Sequence, residues 1–248
     1  MRVDVVGIGI DALTTDETLE LAAATVEERG FAQHVCVNAA KVVAIRRDPA
    51  LHSIVERCEI VSADGQSVVW ASRLLGRPLP ERVNGTELMY RLFALAEERG
   101  WSVYVLGAKA DVLEQALERM RTDHPALQIA GARDGYFADA EAGAVAAEIA
   151  AATPDLLFVA ISSPRKERFL GEHGRALGVP FVMGVGGSID IVAGVTRRAP
   201  KWMRNAGLEW LYRLVQEPRR LGRRYLVTNM KFTALVAREL ARRRRGRG

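Results

Sequence analysis

The stretch Leu156-Leu157-Phe158-Val159-Ala160-Ile161 decides the fold class, and the polar loop Ser162-Ser163-Pro164-Arg165-Lys166-Glu167 follows it directly. A short apolar run that ends at such a loop is typical of a strand buried on both faces, as the strands of a parallel sheet are. It is far shorter than the roughly 20 apolar residues that a membrane-spanning helix needs. We therefore expect a central strand of an α/β protein.

Similar runs alternate with helical patterns over the first 195 residues. Strands are predicted at 3–10, 34–38, 60–62, 102–106, 128–132, 156–161 and 180–185, and helices at 15–29, 39–48, 86–99, 111–122, 140–152 and 167–177. This order predicts a Rossmann-like, mainly parallel sheet with helices on both faces. Ligands of such sheets bind beyond the carboxyl ends of the strands, so we expect the functional residues in the loops there.

The composition is that of a globular protein rather than a disordered or fibrous one, with 248 residues, 49% of them hydrophobic and 26% charged. The N-terminus lacks the long apolar segment of a secretory signal, so a cytoplasmic location is expected. Cys36 and Cys58 are too few for a disulfide framework.

Charge divides the chain near residue 195. Residues 1–195 carry a net charge of −8, whereas residues 196–248 hold 16 basic and three acidic side chains, a net charge of +13. The later segment has a helical pattern with interleaved aromatic residues. We therefore predict a Rossmann-like domain at 1–195 and a C-terminal helical basic appendage at 196–248. Such an appendage suits nucleic acid, anionic lipid or a phosphorylated substrate.

An early loop, Gly7-Ile8-Gly9-Ile10-Asp11-Ala12, matches the G-x-G-x-x-A pattern of dinucleotide-binding proteins. It leaves open an NAD-linked oxidoreductase. The helix begins only near Asp16, however, so an ordinary structural turn is the competing interpretation. A peripheral protein that binds anionic membranes or nucleic acid through its C-terminus is the other alternative.

Five longer strings carry more information. They are A-D-G at Ala63–Gly65, R-V-N-G-T-E at Arg82–Glu87, V-G-G-S-I-D at Val185–Asp190, R-R-A-P at Arg197–Pro200 and G-L-E-W-L-Y-R at Gly207–Arg213. In this order they resemble the WecG/TagA/CpsF glycosyltransferase family, over nearly the whole chain. The resemblance implies an inverting, metal-independent transfer of N-acetylmannosamine or a related hexose, an acidic one included, from a UDP-sugar. The implied acceptor is linked to undecaprenyl diphosphate, in cell-wall or exopolysaccharide synthesis.

The catalytic residues implied by the resemblance begin with Asp64. An inverting transfer needs a general base that takes the proton of the attacking hydroxyl, and Asp64 suits that role, although it could also cap the following helix. Asn38 matches the asparagine of the family's T-x-N motif and is expected to orient a substrate.

Arginines are expected to neutralise the leaving diphosphate. No two aspartates stand two residues apart, so the metal-binding D-x-D pair is missing, and the four histidines show no ligand spacing. Arg213, Arg220 and Arg223 match the family's appendage arginines and are assigned this task. The alternative is that they are solvated or face phospholipid. No metal and no cofactor is expected.

The substrate-binding residues implied by the resemblance lie in the remaining loops: Arg82, Asn84, Gly107, Tyr136, Lys166, Glu167, Gly186, Gly187 and Asp190. Tyr136 can stack on uracil or belong to the core, and Asp190 can bind ribose hydroxyls or cap a helix. The sequence departs from the family pattern at Cys36, where a threonine is usual, and at Lys166, where a glutamine is usual. A cation at position 166 would suit an acidic sugar or a diphosphate.

The partners expected from the resemblance are a UDP-sugar donor, a lipid-diphosphate-linked acceptor and an anionic membrane surface. The protein is thus expected as a peripheral protein of the inner membrane face, with no nucleic-acid partner. The oligomeric state stays open, with a homo-oligomer among the options.

Overall fold

The computed structural model describes residues 1–205, 207–216 and 218–245, without the side chains of 204, 205, 213, 219–221, 223, 224 and 244. The strands are β1 Arg2–Asp4, β2 Gly9–Asp11, β3 Ala32–Val37, β4 Ile60–Ala63, β5 Ser102–Gly107, β6 Gln128–Arg133, β7 Leu156–Ala160 and β8 Phe181–Gly184. The helices are α1 Thr15–Glu27, α2 Ala39–Ile45, α3 Pro49–Glu56, α4 Gln66–Leu74, α5 Gly85–Arg99, α6 Ala110–Asp123, α7 Ala142–Ala152, α8 Arg165–His173, α9 Ser188–Val192, α10 Lys201–Asn205, α11 Glu209–Gln216 and α12 Pro218–Arg245.

Six strands form one parallel sheet in the order β4-β3-β8-β7-β5-β6. Its central strands β7 and β8 are apolar and buried, as expected of strands covered on both faces. The predicted α/β class, with a Rossmann-like parallel sheet, is confirmed.

The helices cover both faces of the sheet. One face packs against α1, α5, α6 and α9, in a core that includes Phe93, Phe158 and Phe181. Two clusters lie on the other face, one built with α2, α3, α4 and α12 and the other with α7 and α8. The side chains alternate between the faces along each strand, and this period of two explains the sequence pattern.

The prediction of one strand over residues 3–10 is wrong. The chain makes a hairpin there: β1 and β2 pair antiparallel, with Val3 opposite Ile10. Val6 and Gly7 both have positive φ, as a two-residue hairpin turn requires. Asp11 also accepts a hydrogen bond from the Val61 N–H, so the hairpin covers the edge of β4. The Gly7-x-Gly9 loop therefore joins two antiparallel strands and lacks the strand-to-helix geometry of a dinucleotide site.

Helix starts follow capping chemistry. Asn38 caps α2, Asp48 caps α3 and Asn84 caps α5, each accepting a backbone N–H of the first turn. The helix predicted at 39–48 is thus shorter than expected, because Asp48 and Pro49 begin a second one. Helix α4 was not predicted from the sequence.

The last helix packs against elements from the first third of the chain. Phe232 and Val236 of α12 are buried in the cluster formed with α2, α3 and α4. Near its end, the Arg243 guanidinium donates to the Leu75 carbonyl at 2.5 Å. The division at residue 195 stays a prediction, but the appendage shares a core with the residues before it. None of the helices described is long and apolar enough to cross a membrane.

We expect Phe232→Ala to lower the free energy of unfolding by about 3 kcal/mol, because it empties a buried site between α12 and α2. Urea denaturation measures this change. The exposed Leu226 on the same helix supplies the control, and Leu226→Ala should change stability by less than about 0.5 kcal/mol. Equal losses in the two variants would contradict the packing of α12 on the core.

Candidate active site

The predicted loops meet at the carboxyl edge of the parallel sheet. Asn38 follows β3, Asp64 follows β4 and Gly186 follows β8, while the loop after β7 leads to Lys166 and Glu167. Gly107 is the last residue of β5 and Tyr136 follows β6, at the far side of the sheet. The edge thus has one group of residues around Asp64, a second around Lys166 and a third around Gly107.

Asp64 is held by backbone contacts on two sides. Its N–H donates to the Val37 carbonyl at the end of β3 (3.0 Å), and its Oδ1 accepts the N–H of Gly85 (3.2 Å). The carboxylate is partly exposed. It does not cap α4, because that helix begins after Gly65 without a side-chain cap. The alternative capping role of Asp64 toward α4 is therefore wrong.

Asn38 lies against the Asp64 loop. A Cβ at Gly65 would lie 3.1 Å from the Asn38 Cβ, so the glycine permits this close approach. The Asn38 Oδ1 accepts the Lys41 N–H at the start of α2, which fixes the side chain. Asn38 thus caps a helix, and it is exposed next to the loop of the partly exposed Asp64.

The segment from Arg82 to Glu87 connects Asp64 to α5. The Val83 N–H donates to the carbonyl of Ala63, and Asn84 Oδ1 accepts the Glu87 N–H. Gly85 packs so closely on β3 that an added Cβ would lie 2.8 Å from the Cys36 Sγ. Any side chain at position 85 would therefore push this segment away from the sheet.

Glu209 is a site residue that sequence reasoning missed. It is buried at the start of α11, where its Oε2 accepts the Asn84 amide at 2.7 Å and lies 3.6 Å from Arg82 Nη1. The appendage is thus bound to the loop beside Asp64. The sequence did show this glutamate within the G-L-E-W-L-Y-R string. It did not indicate the partners of the glutamate, which lie more than 120 residues earlier in the chain.

A second ion pair joins the same regions. Arg198, from the R-R-A-P string, pairs with Glu87 of α5 and lies over the Tyr90 ring, 5.3 Å from its centroid. Its Nε is buried without a hydrogen-bond partner among the described residues. The segment that leads into the appendage is therefore fastened to the first turns of α5.

A buried charged cluster lies under the loops after β7 and β8. Lys41 Nζ is 2.6 Å from Glu167 Oε1, and Lys166 Nζ is 3.9 Å from the same oxygen. Burial acts to raise the pKa of Glu167, but the two lysines outweigh it, so the pKa lies below its usual value. The carboxylate is ionised and the cluster has more cations than anions.

Lys166 extends toward the glycine-rich loop after β8. Its Nζ donates to the Gly184 carbonyl at 3.5 Å, and a Cβ at Gly186 would lie 3.4 Å from this nitrogen. Burial and the nearby Lys41 lower the pKa of Lys166 to about 8. Lys166 therefore loses its charge at a much lower pH than an exposed lysine does.

A profile of the Glycosyl transferase WecG/TagA/CpsF family matches residues 3–246. The chain belongs to this family. A protein of Bacillus spizizenii (strain W23) is 35% identical over 195 residues, 79% of this chain and 75% of the relative. One of Bacillus subtilis (strain 168) is 32% identical over 199 residues, 80% of this chain and 77% of the relative. Both are named N-acetylglucosaminyldiphosphoundecaprenol N-acetyl-beta-D-mannosaminyltransferase.

The two departures from the family pattern have different surroundings in this glycosyltransferase. Burial, and then the charge of Asp64, raise the pKa of Cys36 to about 12, so the thiol stays neutral and does not act as a nucleophile. Lys166 instead brings a titratable cation into the site. His34, below Cys36 on β3, has a pKa lowered by burial to about 3 and bonds to Ser62 as a neutral ring.

The remaining predicted residues occupy the far side of the edge. Gly107 packs on Ala160 so closely that a Cβ would lie 2.5 Å from the carbonyl carbon. Tyr136 is 74% exposed, so it does not belong to the core. The Asp190 Oδ2 lies 3.3 Å from where a Cβ of Gly187 would stand, which places it beside the glycine-rich loop. A groove of about 390 Å³ between α6 and β6 reaches Asp134 but includes none of the predicted residues.

The appendage arginines of the prediction lie on α11 and α12. The backbone is described at Arg213, Arg220 and Arg223, whereas their side chains lie outside the described part of the structure. Arg213 follows Glu209 by four residues within α11. Among the described residues, no group of three His, Cys, Asp or Glu side chains could hold a metal ion.

For this glycosyltransferase we expect Glu209→Ala to lower the free energy of unfolding by about 2 kcal/mol, because it removes the acceptor of Asn84 and the partner of Arg82. The variant should also be cleaved faster by trypsin within α11. Glu209→Gln keeps a side-chain oxygen toward Asn84. Its free energy of unfolding and its rate of cleavage should therefore lie between those of the parent protein and of Glu209→Ala. Unchanged cleavage of Glu209→Ala would show that this carboxylate does not hold α11.

Proposed function

We propose that this protein transfers N-acetylmannosamine, or a related hexose, from a UDP-sugar to N-acetylglucosaminyl-diphospho-undecaprenol. The names of the two relatives support the transferred sugar and the acceptor. One observation carries the proposal: the Asp64 carboxylate is held at the carboxyl edge of the sheet, beside Asn38 and against the loop to which Glu209 binds the appendage. We further propose that the protein works as a peripheral protein at the inner membrane face.

Asp64 acts as the general base of this reaction. It takes the proton of the acceptor hydroxyl as the oxygen attacks the anomeric carbon, and UDP leaves from the opposite face with the electron pair of the broken C–O bond. The configuration is therefore inverted. The Gly85 N–H fixes the orientation of the carboxylate during proton transfer.

Fixed cations replace a metal ion at the leaving diphosphate. Lys166 lies beside the glycine-rich loop, whose backbone a phosphate can approach closely, and Lys41 adds a second positive charge. We propose that Arg213, Arg220 and Arg223 complete this set from the appendage. Arg82 and Asn84 then hold the appendage in place through Glu209, and Tyr136 stacks on the uracil.

We expect Asp64→Asn to keep UDP binding and to lose turnover by about 10²- to 10⁴-fold, since the amide cannot accept the proton. The assay measures sugar transfer from UDP-N-acetylmannosamine to a short-chain lipid-diphosphate-GlcNAc acceptor, with and without EDTA. Asp123→Asn, at an exposed carboxylate at the end of α6, is the matched control. Residual activity within about tenfold of the parent would assign the base elsewhere. Loss of activity in EDTA would contradict metal independence.

Lys166 makes the donor affinity depend on pH. Its charge is present below its pKa of about 8 and disappears above it, so kcat/KM for the UDP-sugar should fall as the pH rises through that value. Lys166→Gln, which restores the family's usual residue, should lack this decline. The same descending limb in both proteins would mean that another group titrates.

A further inference from the structure

Helix α4 presents an exposed face that the proposed reaction does not use. Trp70 is 52% and Leu74 66% exposed, and Arg73 and Arg77 are exposed beside them. The spacings of three and four residues place Trp70, Arg73 and Leu74 on one side of the helix, and Arg77 follows in the turn after Gly76, where the helix has ended. Apolar side chains flanked by arginines are typical of helices that lie in a membrane interface.

The rest of α4 is firmly packed. Val68, Val69, Ala71 and Leu75 are buried in the cluster that also holds Phe232 of α12. The exposed face therefore has a fixed orientation relative to the core, because the opposite side of α4 is already buried. Its exposure is a property of the folded protein.

Helix α4 and the turn after it contribute positive charges and no acidic side chain of their own. Residues 65–80 include Arg73 and Arg77 but no aspartate or glutamate. Arg77 lies 3.7 Å from Asp4 but is about half exposed, and Arg73 also faces outward. An anionic surface complements this pattern, because lipid phosphates can accept the guanidinium groups while the apolar side chains enter the headgroup region.

Helix α4 contacts the appendage at both of its ends. A Cβ at Gly207 would lie 2.9 Å from the Gln66 side chain at the start of α4, and Arg243 binds the Leu75 carbonyl at the other end. The appendage has its own exposed apolar pairs four residues apart, Leu211 with Val215 and Leu226 with Met230. Surfaces of the same chemistry thus occur on adjoining elements.

We propose that α4 is a second membrane-binding element, in which Trp70 and Leu74 enter the interface of an anionic bilayer and Arg73 and Arg77 bind lipid phosphates. The inference deepens the proposed function, because it assumes a lipid-linked acceptor. Asp64 lies two residues before the first residue of α4, and the helical rise from Gln66 to Trp70 is about 6 Å, so the base lies near the start of the helix that carries the inserted tryptophan. Membrane contact through α4 would hold the base at a set depth relative to a lipid-linked sugar.

A second copy of this chain fits the face less well. In a two-fold dimer the same patch occurs on both partners. Pairing α4 with itself would bring the arginines of both copies together, and the helix has no exposed acid to neutralise them. Lipid phosphates carry the required negative charge.

A variant that retains Trp70 as its only tryptophan tests this inference directly. It carries Trp101→Phe, Trp202→Phe and Trp210→Phe in the full chain. Vesicles of equal parts phosphatidylglycerol and phosphatidylcholine, with brominated acyl chains, should shift the Trp70 emission to the blue and quench it. A protein that binds these vesicles with unshifted, unquenched Trp70 emission overturns the proposal. A blue shift that depends on protein concentration without lipid also overturns it, in favour of a contact between copies.

Partition measurements supply the second arm. Trp70→Ser with Leu74→Ser should lower binding to unbrominated vesicles of the same composition about tenfold. Arg73→Gln should lower it about fivefold, in a salt-dependent way. Leu21→Ser, at an exposed leucine of α1 on the opposite face of the sheet, is the control and should leave binding unchanged. Equal binding by the Trp70/Leu74 double variant and this control contradicts the proposal.

These measurements do not depend on sugar transfer. A protein that inserts Trp70 but fails to glycosylate the lipid-linked acceptor would overturn the proposed function and leave the role of α4 intact. A protein that transfers sugar while Trp70 stays in water would support the proposed function and overturn the role of α4.

Discussion

The parallel pairing of β3 with β4 is the constraint on which the site depends. Val37 lies opposite Ala63, so the two strands end at the same level and Asn38 and Asp64 emerge side by side. The Val37 carbonyl then takes the Asp64 N–H, and Gly65 permits contact with Asn38. A shift of one residue in this register would turn each side chain of the shifted strand to the other face and separate the two groups. The hairpin along β4 protects this pairing from the edge.

Two groups of charged side chains flank the ends of β3 and β4. The buried Lys166 and the mostly buried Lys41 share one ionised glutamate under the glycine-rich loop, which leaves a positive excess there. On the other side of Asp64, Glu209 neutralises Arg82 and binds the appendage. One glutamate therefore pairs with one arginine on this side, whereas on the other side two lysines share a single glutamate. Burial makes both arrangements stronger than they would be at the surface.

Much of the fold could be predicted because apolar runs mark buried parallel strands, and the six sheet strands lie within two residues of their expected ends. The β1–β2 hairpin could not be predicted, because Val6 adopts a positive φ that valine rarely takes and nothing in the local sequence indicates that the chain reverses there. The family strings placed Asp64 and Asn38 at the sheet edge. They could not indicate that Glu209 would bind Asn84, because that contact joins residues 125 apart in the chain through tertiary packing. The same limit applies to Lys41, which becomes a site residue only through Glu167.

The packing of α12 on α2 has a consequence for biosynthesis. Residues 39–45 complete their core only when Phe232 and Val236 arrive, far later in the chain. Contacts over such a sequence distance form late, and the apolar surface that awaits them stays open during synthesis. The N-terminal half therefore cannot finish folding before the basic helix has been made. Each molecule in which this core is complete consequently already carries the basic helix.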